Sequence, residues 1–157
     1  MKKIVIIGAG IVGLAIAREL SIKGHKNIII LEKESEIASH QSSRNSGVMH
    51  AGLYYKPGSL KAELSRKGIN LMKDYCNKMR ISWKETGKIV AARNSEDLRQ
   101  LERLFSWGQK NNLLGLRKLN KRGIKSLEPY LNAIEGIHVP EESVVNFKDV
   151  ANSFLYR

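Results

Sequence analysis

Residues 1–32 read MKKIVIIGAGIVGLAIARELSIKGHKNIIILE, and this stretch decides the fold. Residues 2–7 are a β-rich run with almost no polar break, the pattern of a strand buried on both faces. It leads directly into Gly8-Ala9-Gly10-Ile11-Val12-Gly13, a G-x-G-x-x-G turn placed between a strand and a helix. Gly8 permits the tight turn, Gly10 lets backbone approach a pyrophosphate, and Gly13 lets the helix pack closely on the strand. Ala17 and Leu20 continue the packing face, and Gly24 stands where a helix takes a left-handed C-terminal residue. Residues 27–31 give a second buried strand, and Glu32 follows it, placed to accept hydrogen bonds from ribose hydroxyls. An acid there repels a 2′-phosphate, which favours FAD or NAD over NADP. The expected class is α/β, with a βαβ dinucleotide-binding unit at its head.

Composition narrows the partners. The chain has 157 residues, 42% of them hydrophobic and 27% charged, the range of one globular domain. No apolar run reaches the length of a membrane span, and the first apolar run is too short and too glycine-broken for a secretory signal. Cys76 is the only cysteine, which excludes an internal disulfide and a multi-cysteine metal site and fits a reducing cytoplasm. The net charge of +12 suits an anionic membrane surface or an acidic substrate. Its lysines are scattered without a basic block or interleaved aromatics, so no nucleic-acid partner is expected, and no metal-binding residues are assigned.

Beyond Glu32 the hydrophobic period disappears over residues 33–57, too long a stretch for an ordinary connection. It reads Ser39-His40-Gln41-Ser42-Ser43-Arg44-Asn45-Ser46-Gly47, then Val48-Met49-His50-Ala51-Gly52-Leu53-Tyr54-Tyr55. Small hydroxyl residues opening a short helix can bind phosphate oxygens, and Gly47 and Gly52 admit a flat ring close to backbone.

Three blocks carry a family resemblance: Leu31-Glu32-Lys33-Glu34, the run from His40 to Gly52, and Tyr54-Tyr55-Lys56-Pro57-Gly58-Ser59-Leu60-Lys61. Through them residues 1–155 resemble the N-terminal part of FAD-dependent oxidoreductases of the D-amino-acid oxidase superfamily, most closely the L-2-hydroxyglutarate oxidase/dehydrogenase group. Relatives in that group often read T-G-H-N-S-G where this chain has Ser42-Ser43-Arg44-Asn45-Ser46-Gly47. The resemblance implies a Rossmann-like FAD-binding domain with the start of a substrate domain, and an enzyme that oxidises a small L-2-hydroxy acid by hydride transfer to FAD. It implies that Gly8, Gly10, Gly13, Glu32 and Lys33 hold the ADP half, and Ser42, Ser43 and Asn45 the pyrophosphate and ring edge. Arg44 is then a contact for a substrate carboxylate or for phosphate. His50 is the base or substrate contact, or alternatively a buried histidine hydrogen-bonded beside the flavin.

The alternatives are an amino-acid or amine oxidase of the same superfamily, an enzyme using NAD, and a non-catalytic remnant. Oxygen, a quinone or another carrier can take the electrons, and the sequence selects neither among these nor an oligomeric state. The expected location is the cytoplasm, with peripheral association at the inner face of the membrane as a variant.

From Ser59 a helical period returns, with Leu60, Leu64, Leu71, Tyr75 and Met79 as the apolar stripe and Cys76 as a small buried neighbour. Residues 83–92 read as one strand or a short hairpin, and Asn94 opens a helix with Leu98, Leu101, Leu104 or Phe105, and Gly108 on its inner face. Trp107 reads as core or interface. Residues 116–157 read as a short helix ended by Pro129, a strand or hairpin over 133–145, and a helix begun by Asn146 that runs to Arg157. His25 and His138 read as surface or structural histidines. No repeat or linker divides the chain, so residues 1–157 are expected to form one FAD-binding domain, incomplete because two parallel strands are too few for a doubly wound sheet. The expectation is an N-terminal fragment of a longer enzyme, inactive alone.

Overall fold

The computed structural model describes residues 3–155. The expected strand start at Lys2 lies outside the described residues, and the helix expected to run to Arg157 ends instead at Ser153, with Phe154 as its C-cap. The chain divides into two compact units, the first from residues 1–47, 76–83 and 145–157, the second from residues 48–75 and 84–144.

In the first unit, β1 (Ile4–Ile7) and β2 (Ile28–Leu31) are parallel, with Ile4 opposite Ile28 and Ile7 opposite Leu31. Between them runs α1 (Ile11–Ile22), the crossover that parallel neighbours require. It ends as its glycine dictates. Gly24 has φ +91°, and the bonds Gly24 N–H to Ser21 O and His25 N–H to Leu20 O close a Schellman turn. The core of this unit is Ala9, Leu14, Ala38 and Ala151, with Ile11, Ile30, Ile37 and Phe154 packed around it. Ala151 and Phe154 come from α5 (Phe147–Ser153) and its C-cap, and the Asn146 side chain accepts from Lys148 N–H at the start of α5, as its sequence suggests.

One expectation fails here. The two strands are buried on one face only, since Val5 and Ile7, and Ile29 and Leu31, are exposed. α1 and α5 cover the Ile30 side, and no second layer lies on the other among the described residues, so a continuous apolar run appears where one-sided burial would need only alternation.

Apart from the terminal residues Trp83 and Val145, which fall in the first unit, the other two sheets belong to the second. One has the order β3-β8-β4, from β3 (Val48–Met49), β4 (Trp83–Glu85) and β8 (Ser143–Val145). The other has the order β5-β7-β6, from β5 (Lys88–Ala92), β6 (Arg117–Asn120) and β7 (Glu135–Val139), with Val90 and Lys118 both opposite Ile137 in antiparallel register. α3 (Ser95–Lys110) packs on β5, and α4 (Lys121–Leu127) on β6. Leu119, Ile124 and Ala133 form the core beneath α4. Asn94 caps α3 through Asp97 N–H, and Leu101 and Gly108 face inward as the period demands.

The stretch 83–92 is neither a single strand nor a hairpin. β4 and β5 belong to different sheets, because Gly87 turns the chain at φ +66° and both Thr86 and Gly87 donate their N–H groups to Glu142 O. Residues 133–145 split in the same way into β7 and β8. β6 is an added strand that its polar sequence did not announce.

α2 (Leu60–Met79) forms where expected, with Ser59 Oγ accepting from Ala62 N–H, but its buried stripe is a different one. Leu60, Leu64 and Leu71 are exposed, whereas Ala62, Ile69 and Cys76 are buried. The inward face includes Arg66 and Lys73, whose aliphatic stems run inward while their heads bond Glu141 and Glu85. A stripe chosen by leucines alone therefore misses it. Cys76 is fully buried, and burial pushes its thiol up, the behaviour of a packing residue and not a nucleophile. No helix among the described residues is long and apolar enough to cross a membrane.

Among the described glycines, Gly13 sits closest to a neighbour. A Cβ there would lie 2.1 Å from Gly8 O, a distance no relaxation of a side chain can relieve. Gly13→Ala is expected to destabilise the first unit by at least about 1–3 kcal/mol, read as a lower urea midpoint with an unchanged slope.

Candidate functional site

The carboxyl ends of β1 and β2 open into a cavity of about 370 Å³, where a sheet of this topology binds its ligands. Gly8, Gly10, Glu32, Lys33, Glu34, His40 and Ser42 are among the residues that line it. Gly8 takes φ +96°, so the turn that forms its floor is one that L side chains rarely adopt.

Glu32 is held by backbone. Its Oε2 accepts from Ala9 N–H at 2.7 Å, and its Oε1 from Lys33 N–H at 2.9 Å and Glu34 N–H at 3.1 Å. The Ala9 N–H, then those of Glu34 and Lys33 with the nearby His40, keep its carboxyl below the usual glutamate range against the opposing effect of desolvation. An ionised carboxylate offers about four acceptor positions, so three N–H bonds leave room for a ribose hydroxyl.

Ser42 closes the opposite wall. Its Oγ accepts from Ile11 N–H at 2.9 Å, which ties the long loop to the first turn of α1. A Cβ on Gly10 would stand 3.2 Å from that same Oγ, so the bare backbone of Gly10 keeps the gap between helix and loop open. A carboxylate with an acceptor position to spare, a glycine floor and the start of α1 make a set that fits the ADP half of a dinucleotide.

The remaining expected residues fall elsewhere. Gly13 packs helix on strand and does not line the cavity. Ser43 donates its hydroxyl to His40 O, and residues 41–43 make a turn and not the start of a short helix. Asn45 is a loop tie, with Nδ2 donating to Gln41 O and Ser42 O while Oδ1 accepts from Gly47 N–H. Arg44 is exposed, its backbone N–H donating to His40 O. These groups belong to the first unit, and His50 belongs to the second.

His50 is not buried, since 47% of its side chain is exposed. Its Nδ1 lies 3.0 Å from Oε2 of Glu142, a residue only 1% exposed. Oε1 of Glu142 accepts from Ala51 N–H at 3.1 Å and from Lys88 Nζ at 2.9 Å. The Lys88 ammonium also sits 4.5 Å from the centre of the Tyr54 ring. Burial, with the Glu142 charge beside it, pushes the Tyr54 phenol up, so Tyr54 is neutral in this group. Sequence reasoning missed Glu142 and Lys88. No local pattern points to them, because Glu142 stands 92 residues from His50 and Lys88 comes from a strand of the other sheet.

The sequence model of a family described as FAD dependent oxidoreductase matches residues 3–157. The chain is 47% identical over 154 residues to a mitochondrial L-2-hydroxyglutarate dehydrogenase of Dictyostelium discoideum, covering 96% of this chain and 34% of the relative. It is 40% identical over 153 residues to an L-2-hydroxyglutarate dehydrogenase of Indibacter alkaliphilus, covering 97% of this chain and 38% of the relative. The chain thus spans about a third of the length of the curated relatives it matches. Among solved structures, L-alpha-glycerophosphate oxidase from Mycoplasma pneumoniae with FAD bound matches at TM-score 0.86 and 27% identity, over 98% of this chain and 42% of the other. Glycine oxidase from Geobacillus kaustophilus matches at TM-score 0.87 and 25% identity, over 98% of this chain and 43% of the other.

Two outcomes follow for the cavity. Gly10→Ala is expected to abolish FAD retention while sparing the fold, seen as loss of flavin absorbance with an unchanged circular dichroism spectrum; flavin kept at full occupancy would sink the site. For Glu32 the folded-state pKa is lowered, so its stabilisation is full above the unfolded-state value and is lost as pH falls through the folded value. Glu32→Gln should therefore flatten the acid limb of stability measured from about pH 6 down to about pH 3.

Proposed function

The chain belongs to the FAD dependent oxidoreductase family, and on that footing we propose that it serves the oxidation of L-2-hydroxyglutarate to 2-oxoglutarate. The observation that carries this reading is identity of 40–47% to L-2-hydroxyglutarate dehydrogenases over nearly the whole chain, against 25–27% to the glycine and glycerophosphate oxidases that share its fold.

Bound FAD supplies the hydride acceptor for the hydrogen on the carbinol carbon. The residues of this chain do the rest. Glu32 accepts from the ribose, Gly8 and Gly10 leave space for the pyrophosphate, and Lys33, Ser42, Ser43 and Asn45 complete the cofactor contacts by side chain or by holding the loop. Gly13 acts one step back, by seating α1 against the turn. His50 takes the hydroxyl proton through Nε2, so that the carbinol C–H and O–H are both lost and a carbonyl forms. Arg44 binds a substrate carboxylate with its planar fork.

The same reading leaves oxygen or a quinone as the final acceptor and keeps the cytoplasm, or the inner face of a membrane drawn by the +12 charge, as the location. Residues 1–157 are on this reading part of one FAD-binding oxidoreductase domain that continues into a substrate domain.

The test uses the product of the complete reading frame, purified with its flavin. It should reduce an artificial electron acceptor with L-2-hydroxyglutarate and not with the D enantiomer. Arg44→Lys should lower kcat/KM for the dicarboxylate about tenfold or more, the loss of one charge-assisted hydrogen bond of roughly 1.5–3 kcal/mol, and lower it less for a monocarboxylate analogue. Equal losses would assign Arg44 to the cofactor or the loop. Oxidation of an amino acid with no turnover of any 2-hydroxy acid would overturn the substrate.

A further inference from the structure

The hydrogen-bond partners of Glu142 set its role as an acceptor and, through it, the chemistry of His50. One oxygen of this buried carboxylate faces two groups that can only donate, the Ala51 N–H at 3.1 Å and the Lys88 ammonium at 2.9 Å. A carboxyl proton on that oxygen would confront both donors, and the Lys88 ammonium makes a charge-assisted hydrogen bond to it. Glu142 is therefore a pure acceptor, and the group 3.0 Å from its other oxygen, Nδ1 of His50, must be the donor. A neutral imidazole that carries its proton on Nδ1 has its lone pair on Nε2. Among the described residues Nε2 of His50 has no protein partner, and the ring is half exposed. Ser65 steadies the same point from α2 by donating its hydroxyl to His50 O at 2.9 Å.

We infer that Glu142, neutralised by Lys88, is a positioning residue that locks His50 in the tautomer with Nδ1–H and an open Nε2, the form able to accept a hydroxyl proton. This rests on the proposed oxidation of a 2-hydroxy acid for its catalytic meaning, while the tautomer itself follows from the donors and acceptors alone. The proton taken by Nε2 leaves an imidazolium whose Nδ1–H faces the carboxylate, so the pair is already arranged for the charge that develops.

Glu142→Gln is close to isosteric and reverses the logic. Its amide oxygen can stay on Ala51 N–H and Lys88, which turns the NH2 toward Nδ1 and requires that nitrogen to accept. The alternative amide orientation sets NH2 against Ala51 N–H and the ammonium. The substitution should therefore move the imidazole proton to Nε2 and remove the base from the open side.

The test is nitrogen-15 NMR of the histidine rings in flavin-loaded wild type, Glu142→Gln and Glu142→Asp, with the His50 signals identified by their loss in His50→Gln. Nδ1–H in wild type and in the aspartate variant, and Nε2–H in the glutamine variant, is the expected result. Alongside it, Glu142→Gln should lower kcat by about 100-fold or more with KM for L-2-hydroxyglutarate little changed, and should add nothing to the loss already caused by His50→Gln. Nε2–H in wild type, or the same tautomer in wild type and Glu142→Gln, overturns the inference even if the enzyme turns over 2-hydroxyglutarate. A tautomer switch in a protein with no activity on 2-hydroxy acids upholds the role of Glu142 on His50 and removes the substrate reading instead. Should Glu142→Gln fail to fold, the wild-type and Glu142→Asp spectra still decide the tautomer.

Discussion

The first unit depends on a single close approach, that of Gly13 in α1 to the carbonyl of Gly8 at the end of β1. With a Cβ excluded at 2.1 Å from that oxygen, the helix can start directly above the strand that leads into it. Everything that forms the cavity follows from this seating. The Ala9 N–H is brought within 2.7 Å of Glu32, which stands past the end of β2, and the Ile11 N–H is presented to Ser42 from the loop. A wider strand-to-helix turn would break both bonds and open the cavity on two sides. The glycine spacing thus sets a distance, and the acid and the serine use it.

In the second unit the organising group is a charge. Glu142 is almost wholly inaccessible to solvent, and an isolated ionised carboxylate in such a place would be very costly. Here it is met by an ammonium, a backbone N–H and an imidazole, while its own backbone oxygen accepts from Thr86 and Gly87 and so fixes the point where β4 leaves one sheet and β5 enters the other. Glu141 beside it takes the Arg66 guanidinium in two parallel bonds of 2.9 and 3.0 Å and the Leu114 N–H at 2.7 Å. Removing one partner of such a buried pair costs about 3–5 kcal/mol. Adjacent acids in one turn, each with its own cation, gather elements that no hydrophobic contact would order so specifically.

What the sequence made legible follows from range. The βαβ unit could be read residue by residue because each cue acts on its neighbours: Gly24 on the end of α1, Asn94 and Asn146 on the starts of their helices, the glycine turn on the strand before it. The errors lie where a local pattern was overruled from a distance. Leu60, Leu64 and Leu71 form a convincing stripe, yet Arg66 and Lys73 are drawn inward by Glu141 and Glu85, and the helix turns Ala62 and Ile69 to the inside. The apparent hairpin at Gly87 is separated into two sheets by Glu142. His50 could be singled out as reactive, but its partner could not, since a glutamate after a proline and another glutamate carries no mark of burial.

That difference bears on how the chemistry is divided. The cavity at β1 and β2 is built from backbone N–H groups, glycines and a carboxylate held by main chain, so its geometry tolerates variation in most side chains and suits a cofactor shared by enzymes with different substrates. The His50 cluster is built from side chains, and each has a specific partner: Nδ1 with Glu142, Glu142 with Lys88, Lys88 with the face of Tyr54. Exchange of any one of them alters the proton inventory of the others. A group that moves a proton needs this kind of side-chain specification, because a backbone amide can position a ligand but cannot change its protonation state near neutral pH. Cofactor retention should accordingly be insensitive to changes around His50, and catalytic rate sensitive to all of them, with the two properties separable by substitution.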